Sequence, residues 1–99
     1  MKDILVNINK VFESRVRLGT MSVLIVNENT DFNSLKEMLE VTDGNLASHL
    51  AVLETNKYIK VNKKFIGKKP NTTYSVTPAG RKAFAEHLDA LEKLINKTI

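Results

Sequence analysis

Residues 58–76 read YIKVNKKFIGKKPNTTYSV, two runs of β-prone residues around a short segment of glycine, lysine and proline. Isoleucine, valine, threonine and aromatic residues favour strands, which we predict over Tyr58 to Ile66 and over Thr72 to Val76. Gly67 to Asn71 is typical of a turn, in which Gly67 supplies a positive φ and Pro70 shapes the chain. The stretch therefore predicts an antiparallel β-hairpin with a lysine-rich loop.

Two short helices are predicted immediately before this hairpin. Asp31 is a candidate N-cap of the first, with Phe32 packing at its start, and Thr42 is a candidate N-cap of the second, which ends at Asn56. The inner face of the first helix is predicted to consist of Leu35, Met38 and Leu39. In the second helix the buried positions, at spacings of four and three, are Leu46, Leu50 and Leu53. The two helices are joined by a tight turn.

Longer helices are predicted on both sides of this core. From Ile4 to Val26 apolar residues recur at spacings of three and four, which predicts an amphipathic helix, either continuous or broken near Glu13 to Arg15. At the other end, Thr77 and Pro78 begin a helix, because a hydroxyl caps free amides and proline is tolerated at the first helical position.

The apolar stripes of these terminal helices exceed what one small core uses, so we predict a two-fold homodimer. The predicted dimer interface consists of Ile4, Leu5, Ile8, Val11, Phe12, Leu88, Leu91, Leu94 and Ile95. The alternative is that these stripes pack within one chain against Leu18 and Met21.

Positive charge is concentrated around the hairpin. Thr55 to Ala85 contains eight lysine or arginine residues and no acid, whereas the rest of the chain has seven basic and eleven acidic residues. A basic surplus of this kind is the electrostatic footprint expected where a polyanion binds, and nucleic acid is the commonest polyanion. We therefore expect a nucleic-acid partner.

Composition excludes several classes of protein. With 99 residues, 42% of them hydrophobic, the chain fits one domain over residues 1–99. It has no cysteine and two histidines, His49 and His87, so we predict no metal site and no cofactor; His87 is expected at the surface or in an interface. Met21 to Val26 is far shorter than the roughly 20 apolar residues that span a bilayer. We expect a cytoplasmic protein with no membrane partner.

No catalytic constellation is recognisable. The sequence offers no Ser/His/Asp or Cys/His set, no glycine-rich phosphate loop follows a predicted strand, and the acidic residues are scattered over helix surfaces. An enzyme is therefore not expected.

The predicted order is helix, helix, tight turn, helix, strand, basic loop, strand, helix: a mostly α winged helix-turn-helix with a β-hairpin and flanking dimerisation helices. In this order the chain resembles the small stand-alone winged-helix transcriptional regulators related to the MarR and ArsR groups. The likeness is carried over residues 8–95 by Arg17-Leu18, Phe32 to Leu39, Thr42 to Leu46, His49-Leu50, Leu53-Glu54, Tyr58-Ile59, Phe65 to Pro70 and Thr77 to Arg81. It implies a dimeric, sequence-specific, prokaryotic DNA-binding regulator of transcription.

Candidate DNA contacts follow from helix-turn-helix docking, in which the second helix enters the major groove with its N-terminal end first. Asn45 can bind adenine, Ser48 a base or a phosphate, and His49 a phosphate or guanine. Gly44 permits close approach, and Thr42 is a structural cap that can also touch phosphate. The predicted hairpin is the wing of this fold. Its predicted contacts with the DNA backbone or minor groove are Lys63, Lys64, Lys68 and Lys69.

Alternatives remain open for three charged residues and for the function itself. Asp43 can cap its own helix, which we favour, or accept from a cytosine amino group. Arg15 and Arg17 can reach phosphate or form ion pairs with Glu13 or Glu54. A winged helix can also serve as a protein–protein interaction module, although a basic wing favours nucleic acid. The operator, the regulated genes, the direction of regulation and any small-molecule effector are not specified by the sequence.

Overall fold

A computed structural model describes residues 2–98 and confirms the mostly α winged helix with a β-hairpin. The elements are α1 (Lys2–Val6), a 3-10 turn (Lys10–Phe12), α2 (Arg15–Val26), β1 (Thr30–Asp31), α3 (Phe32–Leu39), α4 (Asp43–Thr55), β2 (Ile59–Ile66), β3 (Lys69–Val76) and α5 (Pro78–Thr98). The three strands form an antiparallel sheet in the order β1-β3-β2. No helix within residues 2–98 is long and apolar enough to cross a membrane.

The N-terminal segment is not one continuous helix. A break near Glu13 is confirmed, because the Ser14 side chain caps α2 by accepting a hydrogen bond from the Arg17 amide. A second break before Lys10 was not predicted. There the Asn9 side chain accepts a hydrogen bond from the Val11 amide and starts the 3-10 turn. The apolar spacing of three and four continues through this region, so it does not reveal the break. The break is caused by the hydrogen bond of the capping side chain.

The helix pair α3 and α4 agrees with its predicted limits. Glu40 adopts a left-handed conformation and ends α3, and the Thr42 hydroxyl accepts a hydrogen bond from the Asn45 amide at 3.2 Å. Asp31 occupies the N-cap position of α3, but its side chain makes no capping hydrogen bond. Met38 is 54% exposed, so its predicted place on the inner face is wrong. Leu35, Leu46, Leu50 and Leu53 are buried as predicted.

The hairpin is longer and its loop tighter than predicted. Strand β3 begins at Lys69, opposite Ile66, so Pro70 pairs with Phe65 within the sheet instead of shaping the loop. Only Gly67 and Lys68 connect the strands. Gly67 has a φ of +66° and Lys68 does not have a positive φ, which is the pattern of a type II′ turn with glycine first. The short strand β1, which pairs with β3, was not predicted.

An aromatic cluster fills the core between the N-terminal segment and α5. Phe12 is 2% exposed, and its ring centroid lies 5.3 Å from those of Tyr58, Phe84 and His87. The prediction that Phe12 lines a dimer interface is therefore wrong, because its side chain is used inside one chain. His87 is 3% exposed, so its predicted surface or interface position is wrong too.

The base of the wing is closely joined to α5. The Thr77 hydroxyl donates to the Lys57 carbonyl and accepts from the Gly80 amide, which confirms it as the cap of α5. A Cβ at Gly80 would collide with the backbone carbonyl of Tyr58. Glycine is therefore required here for the close approach of α5 to the chain that enters the wing.

Candidate nucleic-acid interface

Helix α4 has one face of buried leucines and one exposed face of small and polar residues. The predicted contacts Thr42, Gly44, Asn45 and Ser48 are all exposed. A Cβ at Gly44 would meet no atom within 4 Å, so the helix surface there is open. Ala47 and Ala51, which the sequence did not predict as contacts, are also exposed among the polar residues. The exposed side of the helix, called the α4 face below, is therefore low in relief and open to a large ligand; it consists of Thr42, Gly44, Asn45, Ala47, Ser48 and the half-buried His49.

Arg17 of α2 forms a hydrogen bond with His49 on the inner side of this face. The Arg17 guanidinium donates through Nε to the Val11 carbonyl at 2.6 Å, and its Nη1 lies 2.9 Å from His49 Nδ1. Because arginine has only donors, Nδ1 of His49 is the acceptor, and the ring proton is on Nε2. Within residues 2–98 Arg17 thus forms no ion pair with Glu13 or Glu54, and its guanidinium is used by Val11 and His49. It links the N-terminal segment to α4 and leaves the Nε2 proton of His49 for an acceptor elsewhere.

Asp43 is neutralised by a neighbouring helix. Lys36 Nζ of α3 lies 2.8 Å from the Asp43 carboxylate, while Thr42 caps α4. The favoured role of Asp43 as cap is therefore wrong. The side chain of Asp43 is 71% exposed and that of Lys36 is 41% exposed, so the ion pair contributes little stability, but it offsets a negative charge at the helix N-terminus.

The wing lysines are exposed and form no ion pair in the described part of the chain. Lys63, Lys64, Lys68 and Lys69 are exposed, and within residues 2–98 no carboxylate lies within ion-pair distance of them. Alternation along β2, with Lys69 opposite Ile66, places Lys64 and Lys69 on one face of the hairpin. Lys63 lies on the other face, opposite Thr72. The positive charge therefore surrounds the wing instead of forming a single row.

The wing tip also carries two large apolar side chains. Phe65 is 74% exposed and Ile66 is 66% exposed, next to the Gly67-Lys68 turn. The sequence places both residues in a strand, and only the structure shows that they are exposed.

The predicted dimer residues fall into three groups. Leu5, Leu88 and Ile95 are exposed large apolar residues. Half-buried positions are Ile4, Ile8, Val11, Leu91 and Leu94. Helices α1 and α5 contact each other, so part of each stripe is covered within the chain, and Phe12 is removed from the set by its burial.

His87 is a buried titratable group on α5. Its Nδ1 accepts a hydrogen bond from the Asn9 amide at 3.0 Å, and the Asn9 side chain donates to the Tyr58 hydroxyl at 3.1 Å. Burial lowers the pKa of His87 below its ordinary value, and the negative charge of Glu13 opposes this effect. The neutral ring that the hydrogen bond requires is thus also the form that burial favours. Within residues 2–98 no group of three or more potential metal ligands occurs.

Comparison with known proteins agrees with this geometry. The family model of the winged helix DNA-binding domain matches residues 16–95. An uncharacterized protein of Methanocaldococcus jannaschii is 38% identical over 79 residues, which cover 80% of this chain and 86% of that protein. The solved structure of a transcriptional regulator homologue from Pyrococcus horikoshii OT3 has a TM-score of 0.88 at 29% identity, over 99% of this chain and 98% of that chain.

The MarR-related likeness is visible at the level of the fold. A MarR family transcriptional regulator from Silicibacter pomeroyi has a TM-score of 0.68 at 15% identity, over 99% of this chain and 68% of that chain. The present chain belongs to the winged helix DNA-binding domain family, which is a family of DNA-binding regulators and not of enzymes. The predicted resemblance to small winged-helix regulators is confirmed.

Proposed function

We propose that this protein is a sequence-specific regulator of transcription that binds duplex DNA as a homodimer, with α4 in the major groove and the wing on the backbone or minor groove. The observation that carries the proposal is the α4 face: small and polar side chains exposed on a helix whose other side is buried leucine. A helix supported in this way has the diameter and rigidity that the major groove accepts.

Each residue of the α4 face has a role in this proposal. Asn45 and Ser48 read base edges, and His49 donates its Nε2 proton to a phosphate or to a guanine acceptor. Ala47 offers a methyl group, which suits contact with a thymine methyl. Thr42 and the free amides at the helix N-terminus face phosphate. Gly44 leaves room for the backbone to approach DNA closely.

The wing supplies charge in the same proposal. Its four lysines, Lys63, Lys64, Lys68 and Lys69, are exposed and form no ion pair with any carboxylate of residues 2–98, so each is available to displace counterions from a phosphate. Such contacts raise affinity for all duplexes and do not by themselves select a sequence.

The homodimer is supported by exposed apolar side chains at both ends of the chain, Leu5, Leu88 and Ile95. A two-fold interface built on α1 and α5 would present two recognition helices to one duplex. Successive major grooves are roughly 34 Å apart, so the operator would be an inverted repeat with half-sites about one turn apart.

Selection of bound duplexes from a random pool tests DNA recognition. We expect an enriched motif with inverted symmetry, because a two-fold dimer reads both half-sites identically. Binding that is equal for all sequences would contradict specific regulation, and an asymmetric single site would contradict the homodimer.

A charge placed in the apolar stripe tests the homodimer. Leu88→Glu changes a residue that is 46% exposed, so the monomer should fold, and light scattering should show a dimer converted to a monomer with weaker operator binding. Lys82→Glu is the matched control for the light-scattering measurement and should leave the dimer intact, since Lys82 is exposed and lies about 120° around the same helix. A wild-type monomer at micromolar concentration would contradict the proposal.

A further inference from the structure

The tip of the wing is apolar on both faces. Phe65 lies opposite Pro70 and Ile66 lies opposite Lys69, and adjacent residues of a strand point to opposite faces of the sheet. One face of the tip therefore carries Phe65 and Pro70, and the other carries Ile66. Between the two strands only Gly67 and Lys68 form the turn, so the tip is no wider than a two-stranded ribbon.

No described part of the chain covers this tip. On the face of Phe65, the last residues that pack against the core are Val61 and its partner Tyr74. Phe65 lies four residues further along β2, about 13 Å at the usual strand rise. Exposed apolar side chains that cluster at one place, as Phe65, Ile66 and Pro70 do at this tip, mark a candidate binding surface.

The surrounding charge identifies the occupant as a polyanion with an apolar interior. Lys63, Lys64, Lys68 and Lys69 surround the two apolar side chains, and no acid occurs from Thr55 to Ala85. The minor groove of duplex DNA offers this combination: two rows of phosphates flank a narrow slot whose floor is the edges of stacked base pairs. A lipid surface fits less well, because Lys68 stands at the apex and would have to enter the membrane ahead of Phe65 and Ile66.

We propose that the wing tip is an apolar wedge that enters the minor groove, where Phe65 and Ile66 press between neighbouring base pairs and bend the duplex. The lysines bind the phosphates on either side. This inference rests on the proposed function, to which it adds a second source of specificity. Pyrimidine–purine steps unstack most easily, so the wedge selects TA or CA steps at positions that α4 does not touch.

The test compares three double variants on an operator duplex taken from the random-pool selection. Phe65→Ala with Ile66→Ala removes the wedge and keeps the lysines. Lys68→Ala with Lys69→Ala removes charge and keeps the wedge. A third protein, Phe65→Leu with Ile66→Val, keeps apolar bulk. All the changed residues are exposed, and thermal unfolding confirms that each variant is folded.

Three quantities distinguish the variants: affinity, its dependence on salt, and the DNA bend measured by energy transfer between dyes at the duplex ends. We expect the wedge-free variant to bind roughly tenfold more weakly with an unchanged salt slope, because it removes stacking and leaves the charge in place. It should also straighten the duplex and abolish the preference for a TA or CA step. The lysine variant should lower the salt slope and retain the bend, and the leucine–valine variant should resemble the wild type.

The outcomes separate the two proposals. If the wild type selects an operator but removal of Phe65 and Ile66 leaves affinity and bend unchanged, the wedge is wrong and the regulator stands. If the wild type binds no duplex, both are wrong. Wild-type binding to phosphatidylserine vesicles that requires Phe65 would assign the tip to membranes, and a wild-type dimer that the wedge-free variant converts to monomer would assign it to a second copy; either overturns the wedge.

Discussion

Helix α4 and the wing both carry exposed surfaces, but α4 is packed on the core and the outer half of the wing is not. The α4 face is backed by Leu46, Leu50 and Leu53, all buried, and His49 is linked through Arg17 to the N-terminal segment. The outer half of the wing extends beyond the core, with Phe65 and Ile66 exposed. Under the proposed function this difference assigns two roles: the rigidly supported helix selects base edges, and the projecting hairpin contributes charge and shape.

The largest expected difference between the two surfaces concerns stability. It is seen when Gly80, at the base of the wing, and Gly44, in α4, are each changed to alanine. At Gly80 a Cβ would collide with the Tyr58 carbonyl, whereas at Gly44 it would meet nothing within 4 Å. We expect Gly80→Ala to lower the free energy of unfolding by about 2–3 kcal/mol, because the backbone at Tyr58 must be displaced. Gly44→Ala should change it by less than about 0.5 kcal/mol.

Urea unfolding measures both glycine variants. Gly44→Ala should nevertheless weaken DNA binding if the backbone approaches DNA there, which separates a stability effect from a recognition effect. Equal stability losses in the two variants would show that the base of the wing is not the tighter junction.

The next largest effect is expected on the α4 face. Asn45→Ala and Ser48→Ala remove side chains that are exposed in the free protein, so stability should be nearly unchanged. Each should reduce discrimination at one base pair by about 1–3 kcal/mol where the side chain hydrogen-bonds a base edge. Binding measurements on single-base variants of the operator provide the test. A uniform decrease in affinity for operator and random duplexes would instead show that these side chains bind phosphate.

Changes in the wing are expected to alter the salt dependence of DNA affinity and to leave the preference for particular sequences unchanged. Lys68→Ala with Lys69→Ala should reduce the slope of log affinity against log salt concentration by about 0.9 for each phosphate that the variant no longer neutralises. Relative preference among operator variants should remain, because these lysines read no bases. Titrations at several salt concentrations measure the slope, and an unchanged slope and affinity would remove these lysines from the interface.

The smallest effect is a pH dependence of stability at His87. Burial lowers the pKa of His87 in the folded state. The contribution of the neutral His87 ring to folding is therefore present in full above the unfolded-state pKa of about 6.5. As the pH falls from there through the lower folded-state pKa, the unfolded state binds the proton first and stability is lost.

Urea unfolding at about pH 7.5 and about pH 5.5 measures this loss. His87→Asn is the control, because its side-chain oxygen can still accept from the Asn9 amide without titrating. We expect the variant to lose less stability than the wild type over this interval. An identical loss in the two proteins would assign the pH dependence to other groups.

The sequence predicted those parts of the fold that rest on local chemistry. Thr42 and Thr77 were identified as caps, because a hydroxyl before a helical apolar pattern satisfies free amides. Gly67 was identified as the residue with positive φ for the same kind of local reason. These predictions are confirmed by the hydrogen bonds of Asn45 and Gly80 and by the conformation of Gly67.

The predictions for Phe12 and His87 failed because distant parts of the chain compete for one side chain. Phe12 and His87 belong to helical patterns that fit an exposed stripe equally well, and 75 residues separate them along the sequence. Their rings lie together in the core. Likewise, Arg17 has several equally plausible partners in the sequence, and only the packing of α2 against α4 brings His49 to it.

The sequence by itself determined the order of the main elements, the concentration of positive charge and the polar character of the second helix of the pair. Each of these follows from neighbouring residues, whose spacing and type act over a few turns or strand positions. The tertiary structure alone decided which apolar residues remain outside. Phe12 is buried and Phe65 exposed, because burial depends on which distant segments pack together, and hydrophobicity is the same for both phenylalanines.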